Sequence, residues 1–400
     1  MSSSYQMPVF SPLPVAFERG QGPWLWDTHG KKYLDALSGI AVCGLGHAHP
    51  RITEALCDQA GKILHSSNWF EVPLQARLAE ELCRLAGMDN VFFCNSGAEA
   101  NEAAIKLARL YGHHRKILTP GIIVTEGSFH GRTLATLSAT GNRKIQAGFE
   151  PLVQGFYRVP YNDAVAVAQV GERNNDIVAV LVEPITGEGG IVIPDPGYLK
   201  ELRRICDERG WLLMLDEIQS GMGRTGKWFA CQHEHVLPDV MTLAKGLGNG
   251  VPIGACLARG AAAGVFQPGN HGSTFSGNPL VSRAALAVLD VLRSEKLDQR
   301  AALLGERMLG GLRQALAQTV GVKDIRGKGL MLAVELDRPC KQLMQNALDA
   351  GLIINVTAEK VVRLLPPLII SDSEADQIVA AVSQLIRDFL AAPQPKSENL

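Results

Sequence analysis

Residues 211–245 read WLLMLDEIQSGMGRTGKWFACQHEHVLPDVMTLAK, and this stretch decides the fold of the chain. It opens with the apolar run Trp211–Leu215, whose short length predicts a buried strand. Asp216 follows directly, and the glycines after it predict a loop. A second apolar run, Val240–Leu243, leads to Lys245 and the sequence GLGNG. Because open α/β sheets bind ligands beyond the carboxyl ends of their strands, we expect Asp216 and Lys245 to meet at one edge.

An aspartate and a lysine at two strand ends suit the chemistry of pyridoxal phosphate. A lysine carries this cofactor through its aldehyde, and a carboxylate keeps the pyridine nitrogen protonated so that the ring accepts electrons. Gln219 is placed to reach the phenolic oxygen of the ring, and Ile218 to pack on one ring face. Taken singly, Asp216 would be a turn residue and Lys245 a solvated charge.

The segments DEIQSGMGRTG and TLAKGLGNGVPIGA resemble the class III aminotransferases, which are fold-type-I pyridoxal phosphate enzymes. The resemblance covers nearly the whole chain. It implies ping-pong transamination, with Lys245 holding the cofactor and moving the proton while Asp216 sustains the pyridinium charge. The cofactor-binding residues that it implies are Ser96, Gly97, Ala98, Phe129, Glu183, Asp216, Glu217, Ile218, Gln219, Lys245 and Thr274.

The composition is that of an ordinary globular protein. The chain has 400 residues, 46% hydrophobic and 20% charged, with a net charge of −1, so we expect no nucleic-acid or membrane partner. The eight cysteines form no C-x-x-C pair, and the N-terminus MSSSYQMPVF has neither a basic nor an apolar signal region, which predicts a cytoplasmic protein. His47, His49 and the segment CQHEH lack further ligands at metal-binding spacing, and we expect no metal.

The segment VFFCNSGAEANEAA predicts a phosphate site. Val91–Cys94 is a candidate strand, Asn95-Ser96-Gly97 a tight turn, and the residues from Ala98 a helix. Free N–H groups and the positive end of the helix dipole would face the turn, although a plain strand-to-helix turn would look the same. The family resemblance implies that Ser96, Gly97 and Ala98 hold the cofactor phosphate.

Two further loops carry candidate site residues. After a predicted strand at Ile122–Thr125, the sequence SFHGRT resembles the family segment in which the aromatic residue, here Phe129, stacks on the pyridine and the arginine, here Arg132, binds a substrate carboxylate. The segment VEPITGEGG adds Glu183 and Glu188 at the same edge.

The C-terminal half supplies the remaining candidates. Ser273 is a candidate substrate-binding residue, and the resemblance implies that Thr274 reaches the cofactor phosphate of a neighbouring subunit, which makes the protein a homodimer with shared active sites. Arg363, in RLLPPL, would bind a second carboxylate. Glu188 resembles the glutamate that pairs with this arginine in related ω-aminotransferases.

The order of elements predicts an α/β protein. We expect a large domain at residues 50–290, with a mostly parallel sheet between layers of helices. A smaller α+β domain would combine residues 1–49 with residues 291–400, with strands over residues 352–358 and 361–370.

Within the class, the segments FHGRT, VEPITGEGG, LSGIAVCGLGHAHP and RLLPPL most resemble acetylornithine aminotransferases. This implies transfer of an amine from N2-acetyl-L-ornithine to 2-oxoglutarate in arginine biosynthesis. Phe10 and Ile40 stand where ornithine δ-aminotransferases have tyrosines, which favours an acylated donor. Transamination of succinylornithine, succinyl-diaminopimelate or ornithine stays open, and 4-aminobutyrate is disfavoured. Aminomutases, racemases, decarboxylases and non-enzymatic regulators on the same scaffold are more distant alternatives.

Overall fold

The protein, for which we have a computed structural model, is described here over residues 5–392. Its strands are β1 Phe17–Gln21, β2 Trp24–Asp27, β3 Lys32–Asp35, β4 Asn90–Cys94, β5 Gly121–Thr125, β6 Phe156–Val159, β7 Ile177–Val182, β8 Leu212–Asp216, β9 Val240–Leu243, β10 Gly254–Ala258, β11 Val322–Lys328, β12 Met331–Leu336, β13 Leu352–Ile353, β14 Asn355–Thr357 and β15 Val361–Leu364.

The right-handed helices follow in chain order. They are α1 Pro50–Ala60, α2 Pro73–Ala86, α3 Gly97–His114, α4 Leu134–Ala139, α5 Arg143–Gln146, α6 Ala164–Arg173, α7 Tyr198–Arg209, α8 Pro279–Ser294, α9 Leu297–Leu316, α10 Leu343–Asp349 and α11 Asp372–Ala391. Short 3-10 turns occur at Ala230–His233, Lys245–Leu247 and Gly260–Ala262, and a single left-handed turn occurs at Ser38–Ala41.

A seven-stranded sheet forms the centre of the protein, in the order β4-β10-β9-β8-β7-β5-β6. Strands β9, β8, β7, β5 and β6 run parallel, and β10 runs antiparallel to β9 and β4. Strand β7 is buried throughout, with Val180 and Val182 in one hydrophobic cluster and Val178 and Leu181 in another. A strand covered on both faces needs apolar residues at every position, which explains its sequence IVAVLV. The predicted α/β class and mostly parallel sheet are confirmed.

Two smaller sheets combine both ends of the chain. One has the order β1-β2-β3-β13 and the other β11-β12-β15-β14. In the first, β13 pairs in parallel with β3, joining Leu352 to Leu34. The exact domain bounds stay a prediction: α8 continues across the proposed 290/291 boundary, and residues 1–4 and 393–400 of the proposed domains lie outside the described residues.

Two predicted strands were wrong in extent. Residues 352–358 do not form one strand, because Leu352–Ile353 belongs to one sheet and Asn355–Thr357 to the other. The strand predicted over residues 361–370 ends at Leu364. Pro366 and Pro367 follow it, and proline has no N–H with which to continue a ladder. Within residues 5–392, no helix combines the length and the apolar character that crossing a membrane requires.

Two glycines let backbone meet backbone between α9, the β11–β12 turn and the loop after β8. A Cβ atom on Gly305, in α9, would lie 2.2 Å from the carbonyl oxygen of Gly329. Gly329 has φ +53°, and a Cβ atom there would lie 2.4 Å from the carbonyl carbon of Thr225. The absence of side chains at these glycines therefore lets α9 pack directly on the β11–β12 turn, and that turn on the loop that follows Asp216.

Gly305→Ala should destabilise the protein, because its methyl group must displace the backbone at Gly329. We expect a loss of about 1–3 kcal/mol in the free energy of unfolding, the usual range for overpacking. Gly310→Ala is the matched control, since it lies in the same helix and a Cβ atom there meets nothing within 4 Å. That variant should gain roughly 0.5–1 kcal/mol from helix propensity. Denaturant titration of the two variants measures the difference, and equal stabilities would contradict the packing argument.

Candidate active site

One edge of the central sheet gathers the carboxyl ends of six strands. Strands β4, β5, β6, β7, β8 and β9 share one direction, so the segments that follow them leave the sheet at this edge. A cavity of about 390 Å³ opens at this edge. The predicted site residues that line it are Ser96, Gly97, Ala98, Phe129, Arg132, Glu183, Glu188, Asp216, Ile218, Gln219 and Lys245.

Asp216 ends β8 as a buried carboxylate with several partners. Its Oδ2 lies 2.8 Å from His130 Nδ1 and accepts a hydrogen bond of 2.8 Å from Asn101 Nδ2. Its Oδ1 accepts from the backbone N–H of Ile218 at 3.1 Å. The side chain therefore has a fixed orientation at the floor of the site, as a carboxylate that must face one ligand atom requires.

His130 and Asn101 were missed in the sequence analysis. His130 lies in SFHGRT between the candidate residues Phe129 and Arg132. Its buried Nε2 has no hydrogen-bond partner among the described residues. Asn101 shares a face of α3 with Ala104 and Ala108, and all three are buried. A lone amide on an otherwise apolar helix face was the available signal, because buried polar groups need partners.

Lys245 follows β9 in a strained backbone conformation, with φ +43°. Such values are rare for residues with a side chain and concentrate at functional sites. Burial lowers the pKa of Lys245, and the positive charge of Arg363 lowers it further. The carboxylates nearby oppose this shift, with Glu188 the largest of them. Lowering the pKa makes the neutral amine more available as a base or nucleophile.

The turn at Ser96 begins α3 and presents its first N–H groups to the cavity. Ser96 is the N-cap residue, and its Oγ accepts a hydrogen bond from Glu99 N at 3.2 Å. A Cβ atom on Gly97 would lie 2.8 Å from Ile218 Cδ1, so a larger residue does not fit without a shift. The uncapped amides that remain form an anion site at the positive end of the helix dipole.

Glu183 supports the loop that carries Phe129. Its Oε2 accepts from Phe129 N at 3.1 Å and its Oε1 from Gly187 N at 3.0 Å. Burial raises the pKa of Glu183 to about 7 against the opposing influence of His130. The guanidinium of Arg132 lies 5.8 Å from the centre of the Phe129 ring, exposed at the mouth of the cavity.

Arg363 is fully buried beside the cavity and pairs with Glu188. Its Nη1 lies 2.8 Å from Glu188 Oε1, and its Nε donates to Asn355 Oδ1 at 2.9 Å. Gln219 Oε1 lies 3.5 Å from the same Nη1, while the buried Nη2 has no partner among the described residues. Glu188 is far more exposed than Arg363, with a side-chain exposure of 38%. The carboxylate is thus the partner that can leave.

Three predicted residues lie away from the cavity of their own chain. The carboxylate of Glu217 points to the 3-10 turn, where it accepts from Ala230 N at 2.9 Å and from Cys231 N at 2.8 Å. Ser273 accepts a hydrogen bond from Asn95 Nδ2 at 3.0 Å, and Thr274 is exposed. The structure therefore places Glu217 as a support for the loop after β8, and leaves Ser273 half-buried and Thr274 exposed.

Two of the histidines considered for metal binding contact other groups. His47 Nε2 lies 2.8 Å from Asp35 Oδ2, and His233 Nε2 lies 3.0 Å from the carbonyl oxygen of Thr225. Across residues 5–392, no three His, Cys, Asp or Glu side chains form a group that could hold a metal ion.

The chain is similar to known aminotransferases along its whole length. It is 58% identical over 387 residues to the acetylornithine aminotransferase of Nitrosomonas europaea, covering 97% of this chain and 98% of the relative. Among solved structures, the ornithine aminotransferase of Toxoplasma gondii superposes with a TM-score of 0.93 at 35% identity, over 96% of this chain and 93% of that one. The acetylornithine aminotransferase of Elizabethkingia anophelis superposes with a TM-score of 0.86 at 37% identity, over 96% and 97%. Residues 6–386 match the model of the aminotransferase class-III family, and the chain belongs to that family.

Proposed function

We propose that this enzyme transfers the δ-amino group of N2-acetyl-L-ornithine to 2-oxoglutarate, giving N-acetyl-L-glutamate 5-semialdehyde and L-glutamate in arginine biosynthesis. One observation carries the proposal: a single cavity is lined by Lys245, Asp216, an exposed Arg132 and Glu188, and Glu188 pairs with the buried Arg363 beside it. Two arginines suit a dicarboxylate acceptor. The acetylornithine aminotransferase of Nitrosomonas europaea, 58% identical to this chain, supports the choice of donor.

The residues around the cavity fit pyridoxal 5'-phosphate. The amides at Ser96, Gly97 and Ala98 offer an anion site for its phosphate, and a side chain at position 97 would force Ile218 to shift. The buried carboxylate of Asp216 suits a protonated pyridine nitrogen. When bound, this cofactor supplies a ring that accepts the electron pair released as the donor loses its proton.

The proposal assigns a role to each residue that lines the cofactor site. Lys245 would hold the cofactor through its amino group, and its free amine would take the proton from the carbon that carries the donor amine. Asp216 would maintain the charge on the pyridine nitrogen, and Gln219 would orient the phenolic oxygen. Phe129 and Ile218 would pack on the ring. Glu183 fixes the Phe129 loop through the two N–H groups it accepts.

The two arginines solve a recognition problem that the substrates create. Acetylornithine presents its reacting amine far from any carboxylate, whereas 2-oxoglutarate has a carboxylate next to its keto group. Arg132 binds the distal carboxylate of either molecule. Arg363 is needed only for the acceptor, and Glu188 neutralises it while the donor is bound. Glu188 then moves away when 2-oxoglutarate arrives.

The enzyme works as a homodimer in this proposal, with Thr274 completing the phosphate site of the partner subunit and Ser273 beside it. Large apolar side chains near Thr274 in sequence or on neighbouring loops are exposed in the single chain. They are Phe275, Trp69, Phe70, Ile63 and Leu64, with Trp69 93% exposed. Exposed apolar surface of this kind marks subunit interfaces.

Enzyme assays distinguish acetylornithine transamination from the alternative donors and reactions. Succinylornithine, succinyl-diaminopimelate and ornithine present the same kind of terminal amine, and an aminomutase would use the same lysine and aspartate. Ile40 has no hydroxyl to offer to a free α-amino group. Its side chain is half-buried and packs against the apolar cluster that contains Ile185. We propose a cytoplasmic location, since the predicted partners are small metabolites.

The function is tested by assaying acetylornithine, succinylornithine, ornithine and 4-aminobutyrate side by side with 2-oxoglutarate. Acetylornithine should give the highest kcat/KM, with one glutamate formed per amine consumed. Lys245→Ala should fold and lose this activity together with the borohydride-stable attachment of pyridoxal phosphate. Lys227→Ala is the control, because Lys227 is exposed on the loop before β9. Attachment that maps to Lys227, or isomerised donor without glutamate, would contradict the proposal.

Glu188→Ala should leave the cofactor bound and raise the use of glutamate as a direct donor, because Arg363 is then left bare. We expect the ratio of glutamate to acetylornithine half-reaction rates to rise about tenfold or more, equivalent to ~1.4 kcal/mol. Asp195→Ala is the matched control, since Asp195 lies on the same loop and its carboxylate accepts only at the surface, from Asn162. Stopped-flow absorbance measures both half-reactions, and an unchanged ratio would mean that Glu188 is not a gate.

Shared active sites predict complementation between two inactive or weakened proteins. In a hybrid of Lys245→Ala and Thr274→Ala subunits, one site contains an intact Lys245 and receives the intact Thr274 of its partner. Mixing should therefore raise the activity above that of either unmixed parent. It should likewise increase the amount of cofactor that stays bound through its phosphate. A fully active monomer in sedimentation, or hybrids no better than the parents, would exclude a shared site.

A further inference from the structure

The left-handed turn at Ser38–Ala41 is an unusual feature next to the cavity. Its four residues have φ values of +47°, +63°, +64° and +63°, and only Gly39 lacks a side chain. L-residues avoid this conformation because Cβ crowds the following carbonyl oxygen, and consecutive examples are rare. Such a turn persists only where its surroundings enforce it.

Asp35 enforces the start of the turn. Its Oδ1 accepts from the backbone N–H groups of Leu37 at 2.8 Å and Ser38 at 2.7 Å, while His47 Nε2 lies 2.8 Å from its Oδ2. The backbone of His47 is itself fixed, since it exchanges two hydrogen bonds with Gly22. Burial alone would lower the pKa of His47, but Asp35 and Cys43 raise it to about 9. Asp35 therefore favours the protonated, positively charged form of His47.

The turn is also joined to the segment that carries Arg363. Ser38 Oγ donates to the carbonyl oxygen of Leu365 at 2.7 Å, and Leu365 N donates to the carbonyl oxygen of Ala36 at 2.7 Å. Leu365 lies two residues beyond Arg363 in the chain. The segment that follows the buried arginine thus anchors the turn through two hydrogen bonds.

After the turn, the chain enters the cavity and reaches the Lys245 loop. Val42 lines the cavity. Leu45 N donates to Asn249 Oδ1 at 2.8 Å, and Asn249 Nδ2 donates to the carbonyl oxygen of Gly46 at 3.2 Å. Residues 38–46 therefore span from the Arg363 side of the site to the loop that follows Lys245.

We propose that Asp35 and His47 are positioning residues for the amino donor. They hold Ser38–Ala41 in its left-handed conformation, so that Val42 forms a fixed apolar wall against the aliphatic chain of an ω-amino donor. The inference rests on the proposed function, because it assigns the wall to the donor of that reaction. Neither Asp35 nor His47 touches the substrate in this role.

The chain contains a matched control in Asp27. Its Oδ1 accepts from His29 N and Lys31 N, both at 2.9 Å, and its Oδ2 accepts from Tyr33 Oη at 2.9 Å. Asp27 thus makes the same number of contacts as Asp35 in the same small sheet, two with backbone N–H groups and one with a side chain. Its turn, between β2 and β3, does not line the cavity.

The kinetic test compares Asp35→Ala, Asp35→Asn and Asp27→Ala with the wild type. Asp35→Ala should raise the KM for acetylornithine about tenfold, the factor expected when one valine side chain no longer contacts the ligand. The kcat, and the half-reaction of 2-oxoglutarate, should change much less. Asp35→Asn keeps an oxygen acceptor for Leu37 and Ser38 and should restore most of the affinity. Asp27→Ala should lower the melting temperature to a similar degree without changing the KM of the donor.

Amide hydrogen exchange supplies a readout that is independent of turnover. The N–H groups of Ile40 and Ala41 bond to Leu37 O, and those of Val42 and Cys43 bond to Ser38 O. Their exchange should accelerate at least about tenfold in Asp35→Ala, a local opening easier by ~1.4 kcal/mol, and stay unchanged in Asp27→Ala.

Three outcomes are distinguishable. Equal exchange in the two alanine variants, or an equal effect of both on the KM of the donor, would overturn the inference. A wild type that fails to use acetylornithine but uses another ω-amine contradicts the proposed donor alone, and the comparison is then made with that amine. Faster exchange at residues 40–43 with an unchanged donor KM would also overturn it, because the turn would then have no part in donor binding.

Discussion

A buried hydrogen-bond network around Asp216 joins α3, the loop after β5, β8 and β9, and the geometry of the site depends on it. Asn101, on α3, donates to Asp216 and to the carbonyl oxygen of His130, and accepts a hydrogen bond of 2.8 Å from Thr242 on β9. Every member is buried, so losing one partner costs the desolvation of the other, typically about 1–3 kcal/mol. The network therefore fixes the carboxylate before any ligand arrives, which is what electrostatic catalysis requires.

The ion pair between Arg363 and Glu188 is separable, unlike the rigid network around Asp216. Arg363 is enclosed by β15 and its neighbours, whereas Glu188 lies on a glycine-rich loop and keeps contact with solvent. Thr357 Oγ1 donates to the carbonyl oxygen of Glu188 and anchors the backbone there. The carboxylate is held by Arg363 at 2.8 Å and by a long contact of 3.5 Å with the same hydroxyl. The rigid network and the separable ion pair both lie near Lys245, whose pKa responds to Asp216, Glu188 and Arg363. The rigid network suits a group that is always bound, and the separable pair suits substrates that alternate.

The sequence predicted the parts of the fold and site that depend on short apolar runs. Strands β8 and β9 were recognisable because each is a continuous apolar segment with its functional residue just beyond the end, so Asp216 and Lys245 were placed correctly at one edge. The direction of a loop side chain has no such signal, which is why Glu217 was grouped with its neighbours although it turns toward the 3-10 helix. His130 and Asn101 were missed because their importance comes from contacts between distant segments, which no local pattern reveals.

The contact between the left-handed turn and β15 has a consequence for the synthesis of the protein. Ser38 and its acceptor Leu365 are 327 residues apart in the chain. At bacterial or eukaryotic elongation rates of roughly 5–20 residues per second, the ribosome needs on the order of half a minute to make the second after the first. During that time the central strands can pair, but the turn lacks its C-terminal support and β3 lacks β13. A nascent chain can therefore form nearly all of the large sheet before its substrate pocket is complete. Premature termination near the C-terminus yields a protein that lacks the complete pocket.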